Sequence, residues 1–180
     1  VEEIGAKAFQ ECEKLTKLKL PASLSVLGKE AFSYCSGLTG TLRLPDNLTV
    51  IPANAFEYCS GLTGLKLPAK LMRVENEAFR DCTGLTGEVI IGEQIISISW
   101  GAFEHCDNVT AFCFRGDAGD GQFSSSGVYG ANDLNHSFPC EATVRYIEGK
   151  KNWTGTKYNN SDNTTWCGYK LETWDGHEIK

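Results

Sequence analysis

The chain has 180 residues, 41% hydrophobic and 22% charged, with 19 Gly and 5 Pro. That mix excludes a disordered or collagen-like polymer and fits a globular chain that buries roughly 70% of its unfolded surface. Lys and Arg number 17 against 23 Asp and Glu, giving a net charge of −6 and a pI near 5.1, which argues against global attraction to nucleic acid or an anionic membrane. The longest apolar candidate, Val89-Ile90-Ile91, stops at Gly92, far short of the ~18 residues that span a bilayer.

One pattern recurs from the first residue to about Phe114. Val1-Glu2-Glu3-Ile4 occupies the place of Leu24-Ser25-Val26-Leu27, so the chain opens inside a repeat and is expected to be a piece of something longer. Ala-Phe pairs end at Phe9, Phe32, Phe56, Phe79 and Phe103, with spacings of 23, 24, 23 and 24. A Cys follows each by three residues (Cys12, Cys35, Cys59, Cys82, Cys106), then Leu15, Leu38, Leu62, Leu85 or Val109, each before Thr. The additional residue in alternate repeats accompanies Gly40-Thr41 and Gly87-Glu88, which reads as a bulge before a strand.

Within each repeat, Leu18-Lys19-Leu20, Leu42-Arg43-Leu44, Leu65-Lys66-Leu67, Val89-Ile90-Ile91 and Phe112-Cys113-Phe114 alternate as short half-buried strands. Pro21, Pro45 or Pro68 then ends the strand, because proline donates nothing to a ladder. Apolar pairs three apart come next, and a segment such as Lys29–Cys35 places Ala31, Phe32 and Cys35 on one side at helical spacing, predicting one or two helical turns. One such unit cannot close a core alone, so units must stack, with the five Phe in a column. Residues 115–142 carry no sustained periodicity and read as an excursion loop. Residues 143–148 supply one more strand with Val144 and Tyr146 inward, and the remainder to 180 folds over the last rung as a cap, with Trp153, Trp166 and Trp174 as its lids.

The wording Ile4-Gly5-Ala6-Lys7-Ala8-Phe9-Gln10-Glu11-Cys12-Glu13-Lys14-Leu15-Thr16-Lys17-Leu18-Lys19-Leu20-Pro21 resembles the bacterial BspA-like, treponemal-type leucine-rich repeat over about residues 1–114. Phe114-Arg115-Gly116-Asp117-Ala118 and Ala142-Thr143-Val144-Arg145-Tyr146 resemble the segments that close such arrays on their C-terminal side. The resemblance implies an α/β fold: a right-handed leucine-rich-repeat solenoid with a parallel sheet of short strands, short helical turns opposite and an irregular C-terminal cap. It also implies a secreted or surface-attached bacterial protein associated with adhesion.

Five of the eight cysteines fall in register and are expected to form an inert buried ladder, since parallel side chains on neighbouring rungs make poor disulfide geometry. Cys113 is expected to point outward from its strand. A Cys140–Cys167 bridge would pin the cap, while a zinc site from the tail cysteines and His136 lacks ligand spacing. His105 beside the buried Cys106 makes no thiol–imidazole dyad, and no G-x-S-x-G, H-E-x-x-H or P-loop string occurs. No enzyme, cofactor or metal is therefore expected. Asp117–Gly121 reads as a turn, not a calcium loop, and Arg115-Gly116-Asp117 spells an integrin-type tripeptide that composition alone supplies in roughly a few per cent of such chains.

The open sheet face carries the binding expectation. With Leu18 and Leu20 inward, Lys17 and Lys19 point out, and the same frame exposes Arg43, Lys66, Glu88, Ile90 and Arg145. Lys19, Arg43 and Lys66 then stack within about 10 Å at the rung spacing, a local positive strip in an acidic chain. Lys and Arg also serve as plain strand-compatible covering, so the alternative to a binding module is a structural spacer with no ligand. The expected partners are a host matrix protein, a cell-surface protein or a glycan, without nucleic acid or membrane insertion.

Overall fold

The structure, a computed structural model, describes residues 1–117, 138–139, 141–150, 162, 165–166 and 169–176. The Cys140–Cys167 bridge, His136, Trp153 and the interior of the excursion loop lie outside the described residues.

The described strands run in chain order β1 (Glu3–Ile4), β2 (Val26–Leu27), β3 (Gly40–Arg43), β4 (Val50–Ile51), β5 (Leu62–Lys66) and β6 (Arg73–Val74). They continue as β7 (Gly87–Ile91), β8 (Ser97–Ile98), β9 (Val109–Phe114), β10 (Thr143–Ile147), β11 (Thr165–Trp166) and β12 (Tyr169–Trp174). Of the expected alternating strands, Leu18–Leu20 is not a strand; the others form two sheets, β3 with β5, and β7-β9-β10-β12, each in parallel register. The apolar pairs three apart build two further parallel sheets, β1 beside β2, and a second in the order β4-β6-β8. Register shifts fall between Gly40 and Thr41 and between Gly87 and Glu88. Gly40 and Gly87 sit at φ of 79° and 74°, the left-handed conformation a bulge glycine supplies without steric cost.

The expected helical turns are absent: the described residues contain no helix. In the segment Glu30–Cys35 odd and even residues bond in different directions. Ala31, Ser33 and Cys35 donate backwards within the coil to Gly28, Glu30 and Phe32, whereas Glu30, Phe32 and Tyr34 donate to Ala53, Ala55 and Glu57 of the next coil. Glu30 and Tyr34 adopt φ of 59° and 60°, and every second bond is thereby turned out of the helical direction. The same two positions recur at Lys7 and Glu11, Asn54 and Tyr58, Glu77 and Asp81, and Gly101 and His105. A left-handed L-residue costs about 1–2 kcal/mol, a strain offset by inter-coil hydrogen bonds that a helix would leave unmade.

Both core columns stand as the spacing requires. Phe9, Phe32, Phe56, Phe79 and Phe103 stack with centroids 5.0 to 5.5 Å apart and planes within 10°. All are fully buried except Phe9, which is 41% exposed on the first coil. Phe138, from the stretch read as a loop, is buried against Phe103 and Phe112 and extends the aromatic core. Beside the rings, the thiols of Cys35, Cys59, Cys82 and Cys106 donate to the carbonyls of Phe9, Phe32, Phe56 and Phe79 at 3.0 to 3.1 Å. Burial pushes the Cys59 and Cys106 thiols up to about 12. Thiolate is the reactive form, so site-resolved alkylation of the native protein should modify half-buried Cys12 well before Cys35, Cys59, Cys82 or Cys106. Equal rates would show that the coils do not exclude water.

Candidate binding face

The β3–β5 and β7–β9–β10–β12 ladders carry two outward rows. Arg43 is paired with Lys66, Ile90 with Cys113, Cys113 with Arg145, and Arg145 with Glu172. In the adjoining row Thr41 faces Gly64, and Glu88 faces Ala111. Lys19 lies next to Arg43, the two lining a shallow depression with Leu20, Pro21, Ala22, Leu44 and Pro45. Of the sequence-derived residues, the structure places Lys19 beside Arg43, pairs Arg43 with Lys66, and puts Lys66 and Ile90 in the lining of one groove. Lys17 is exposed.

A groove of about 740 Å³ crosses this face. Lys66, Glu88 and Ile90 line it, as do residues the sequence reading did not single out, notably Asp46, Pro68, Thr110 and Arg115. A usable signal existed for two of them. Arg115 stands one residue after its strand, where Pro21, Pro45 and Pro68 stand in earlier coils, and Asp46 lies one residue beyond that rim. The groove mixes cations, carboxylates and an apolar floor at Ile90.

The two halves of the face differ in how their charges are partnered. Among the described residues the side chains of Lys17, Lys19 and Arg43 make no ion pair or hydrogen bond, as is also true of Lys14, Lys70 and Arg73 elsewhere on the molecule. On the C-terminal half, Arg145 bonds both Glu88 and Glu172, the latter at 3.0 Å, while Lys170 also reaches Glu172. Lys170 and Arg145 together hold the Glu172 carboxyl below its usual range, the Lys170 hydrogen bond being the larger cause.

This clamp corrects the expectation for Cys113. Its strand direction is outward, yet its side chain is fully buried, with the thiol 3.6 Å from a Glu88 carboxylate oxygen. Burial first, and the Glu88 charge second, push that thiol up to about 12. Alternation along a strand gives direction, not coverage, and a long Arg from a neighbouring strand supplies the cover. Arg145 and Glu88 are therefore engaged with each other instead of standing open to solvent.

Two other features take up places away from the open rows. Arg115 stacks over Trp174, 5.9 Å from the ring centre, and its amide donates to Ile91 O at 3.0 Å. Gly116 is buried, and a Cβ there would meet Glu93 O at 3.0 Å, so the Arg-Gly-Asp string is packed onto the preceding coil with Asp117 alone exposed. On the far side, Tyr34 and Tyr58 stack at 4.6 Å, flanked by a lattice in which Arg80 meets Glu77, Asp81 and Glu104. No group of three or more His, Cys, Asp and Glu among the described residues is arranged to hold a metal ion.

The BspA type leucine rich repeat region family matches residues 2–126 in six copies. The chain belongs to that family. The BspA-type assignment agrees with the parallel solenoid, and its sixth copy continues past Phe114, where the five-fold count from the sequence stopped. A leucine-rich repeat protein of T. pallidum is similar, at 31% identity and a TM-score of 0.59 over 63% of this chain and 52% of that one. A leucine-rich repeat protein of Bacteroides ovatus shares the fold, at 23% identity and a TM-score of 0.55 over 87% of this chain and 45% of that one. The chain thus spans about half the length of these two solved structures. No curated protein matches it. Leucine-rich repeat proteins of this bacterial family have a binding or structural repeat role.

Proposed function

We propose that this BspA-type array is a non-catalytic binding module of a bacterial surface or secreted protein, adhering to its partner through the exposed sheet face. The partner is a host matrix protein, a cell-surface protein or a glycan. The observation that carries the reading is the groove of about 740 Å³, which Ile90 lines together with Lys66 and Glu88. A spacer needs only the stacked Phe and Cys columns, and it draws nothing from a mixed apolar and charged groove. Rigid stacking also favours binding, since a preformed face loses little conformational freedom on association.

An array of matrix proteins and glycans, probed with this chain, tests the reading. Retention of a defined subset is expected, and the joint variant Lys19→Glu, Arg43→Glu, Lys66→Glu should abolish it. An empty array favours the spacer. A partner bound equally well by the triple variant places recognition elsewhere on the molecule.

A further inference from the structure

We infer that the face built on β1, β2, β4 and β6 is an interface between two copies of this chain, separate from the groove and independent of the reading above. One position per coil carries the argument. Glu3 pairs with Val26 across β1 and β2, and Val50 pairs with Arg73 across β4 and β6. β4 packs beside β2, and Val26 and Val50 hold the same place in successive coils. Glu3, Val26, Val50 and Arg73 therefore follow one another in a row, one residue per coil. Val26 is 48% exposed, more than any other large hydrophobic among the described residues except Val1. Glu3 and Arg73 stand exposed at the two ends of the row, and among the described residues neither side chain makes an ion pair or hydrogen bond.

Acid, apolar, apolar, base is an order that a second copy of the same row completes. A two-fold axis lying in this face, along the strands and between Val26 and Val50, reverses the coils and keeps like rows opposite each other. Glu3 of each copy then faces Arg73 of the other, and Val26 faces Val50. In the adjoining row Ser25 faces Thr49 and Glu2 faces Met72, with no like-charge contact. An axis along the coil stack sets Glu3 on Glu3 and Arg73 on Arg73, and like charges across an interface cost free energy. Charge thus selects one of the two two-fold arrangements. The row spans three rungs, about 14 Å, so the contact is small, and association is weak and concentration-dependent rather than permanent. No residue lining the 740 Å³ groove belongs to β1, β2, β4 or β6. Paired copies accordingly keep both grooves open, which adds avidity toward a partner that repeats.

Sedimentation of the chain over a concentration series, with circular dichroism to show that each variant is folded, tests the interface. The average mass of the parent should rise from one chain toward two as concentration increases, and less so as salt rises. Glu3→Arg and Arg73→Glu each place like charges at both ends of the row, and each should weaken association at least about tenfold. An equimolar mixture of the two variants restores opposite charges at both ends, so the mixture should associate where neither variant does alone. Val26→Asp, in the apolar centre, should also keep the chain single. Lys14→Glu makes the same charge change as Arg73→Glu on another part of the coil and should leave association unchanged. A parent that stays a single chain up to about 1 mM overturns the proposal. So does a mixture that fails to associate, or a loss with Lys14→Glu equal to that with Arg73→Glu. None of these outcomes bears on the groove, which the array of matrix proteins and glycans tests by itself.

Discussion

Replacing Phe56 by Ala should lower the stability of the array by about 4 kcal/mol, the range for emptying a buried aromatic site. Its ring is fully buried between Phe32 at 5.3 Å and Phe79 at 5.5 Å, with planes 4° from each. In a solenoid each coil touches only its neighbours, so a void in a central coil weakens two interfaces at once. A loss of this size is a large share of the 5–15 kcal/mol that holds a typical domain together. The internal comparison is Phe9→Ala: that ring has one stacking neighbour within the column and is 41% exposed, so roughly 1–2 kcal/mol is expected. Denaturant titration of the two variants against the parent decides the matter. Equal costs would mean that the column is not what joins the coils, and the account of the core would have to be rebuilt.

How much of this was legible in the sequence depends on whether a feature is local to one coil. The strands, the Phe and Cys columns and the bulges at Gly40 and Gly87 could be counted, because stacking forces each coil to repeat the same spacing. The segment Glu30–Cys35 was misread because Ala31, Phe32 and Cys35 share a side in a helix and equally in a turn that alternates its bonds between coils. What distinguishes the two is the left-handed pair in each coil. At the first position only Asn54 and Gly101 advertise it, since Lys7, Glu30 and Glu77 are ordinary residues there, and at the second only Asp81 and His105 do so beside Glu11, Tyr34 and Tyr58. The C-terminal end was harder. β12 lies in a stretch rich in Asn, Thr and Trp, yet it pairs in parallel with β10 and places Leu171 against the core. Nor could local alternation anticipate that Arg145 would close over Cys113.

That closure carries the second large effect. Arg145→Gln should destabilise the chain by about 2 kcal/mol, between the limits for exposed and buried ion pairs, because the Arg145 side chain is 29% exposed and that of Glu88 only 13%. Most of the loss comes from leaving Glu88 half-buried without its cation, so adding Glu88→Gln to Arg145→Gln should recover part of it. Acid titration gives an independent readout. Glu172 is held below its usual 4.5 by Lys170 and Arg145 in the folded chain, so the stability it contributes is present above pH 4.5 and fades as pH falls through the lowered folded value. Removing Arg145 takes away one of the two partners that lower it, so the variant should show a shallower loss of stability on acidification below that point. Loss of the clamp should also uncover the Cys113 thiol, making it alkylate faster than Cys59 in the same molecule. A variant as stable as the parent, with Cys113 still shielded, would show that β12 is held to the array by its strand pairing with β10 alone, and that Arg145 merely lies across the seam.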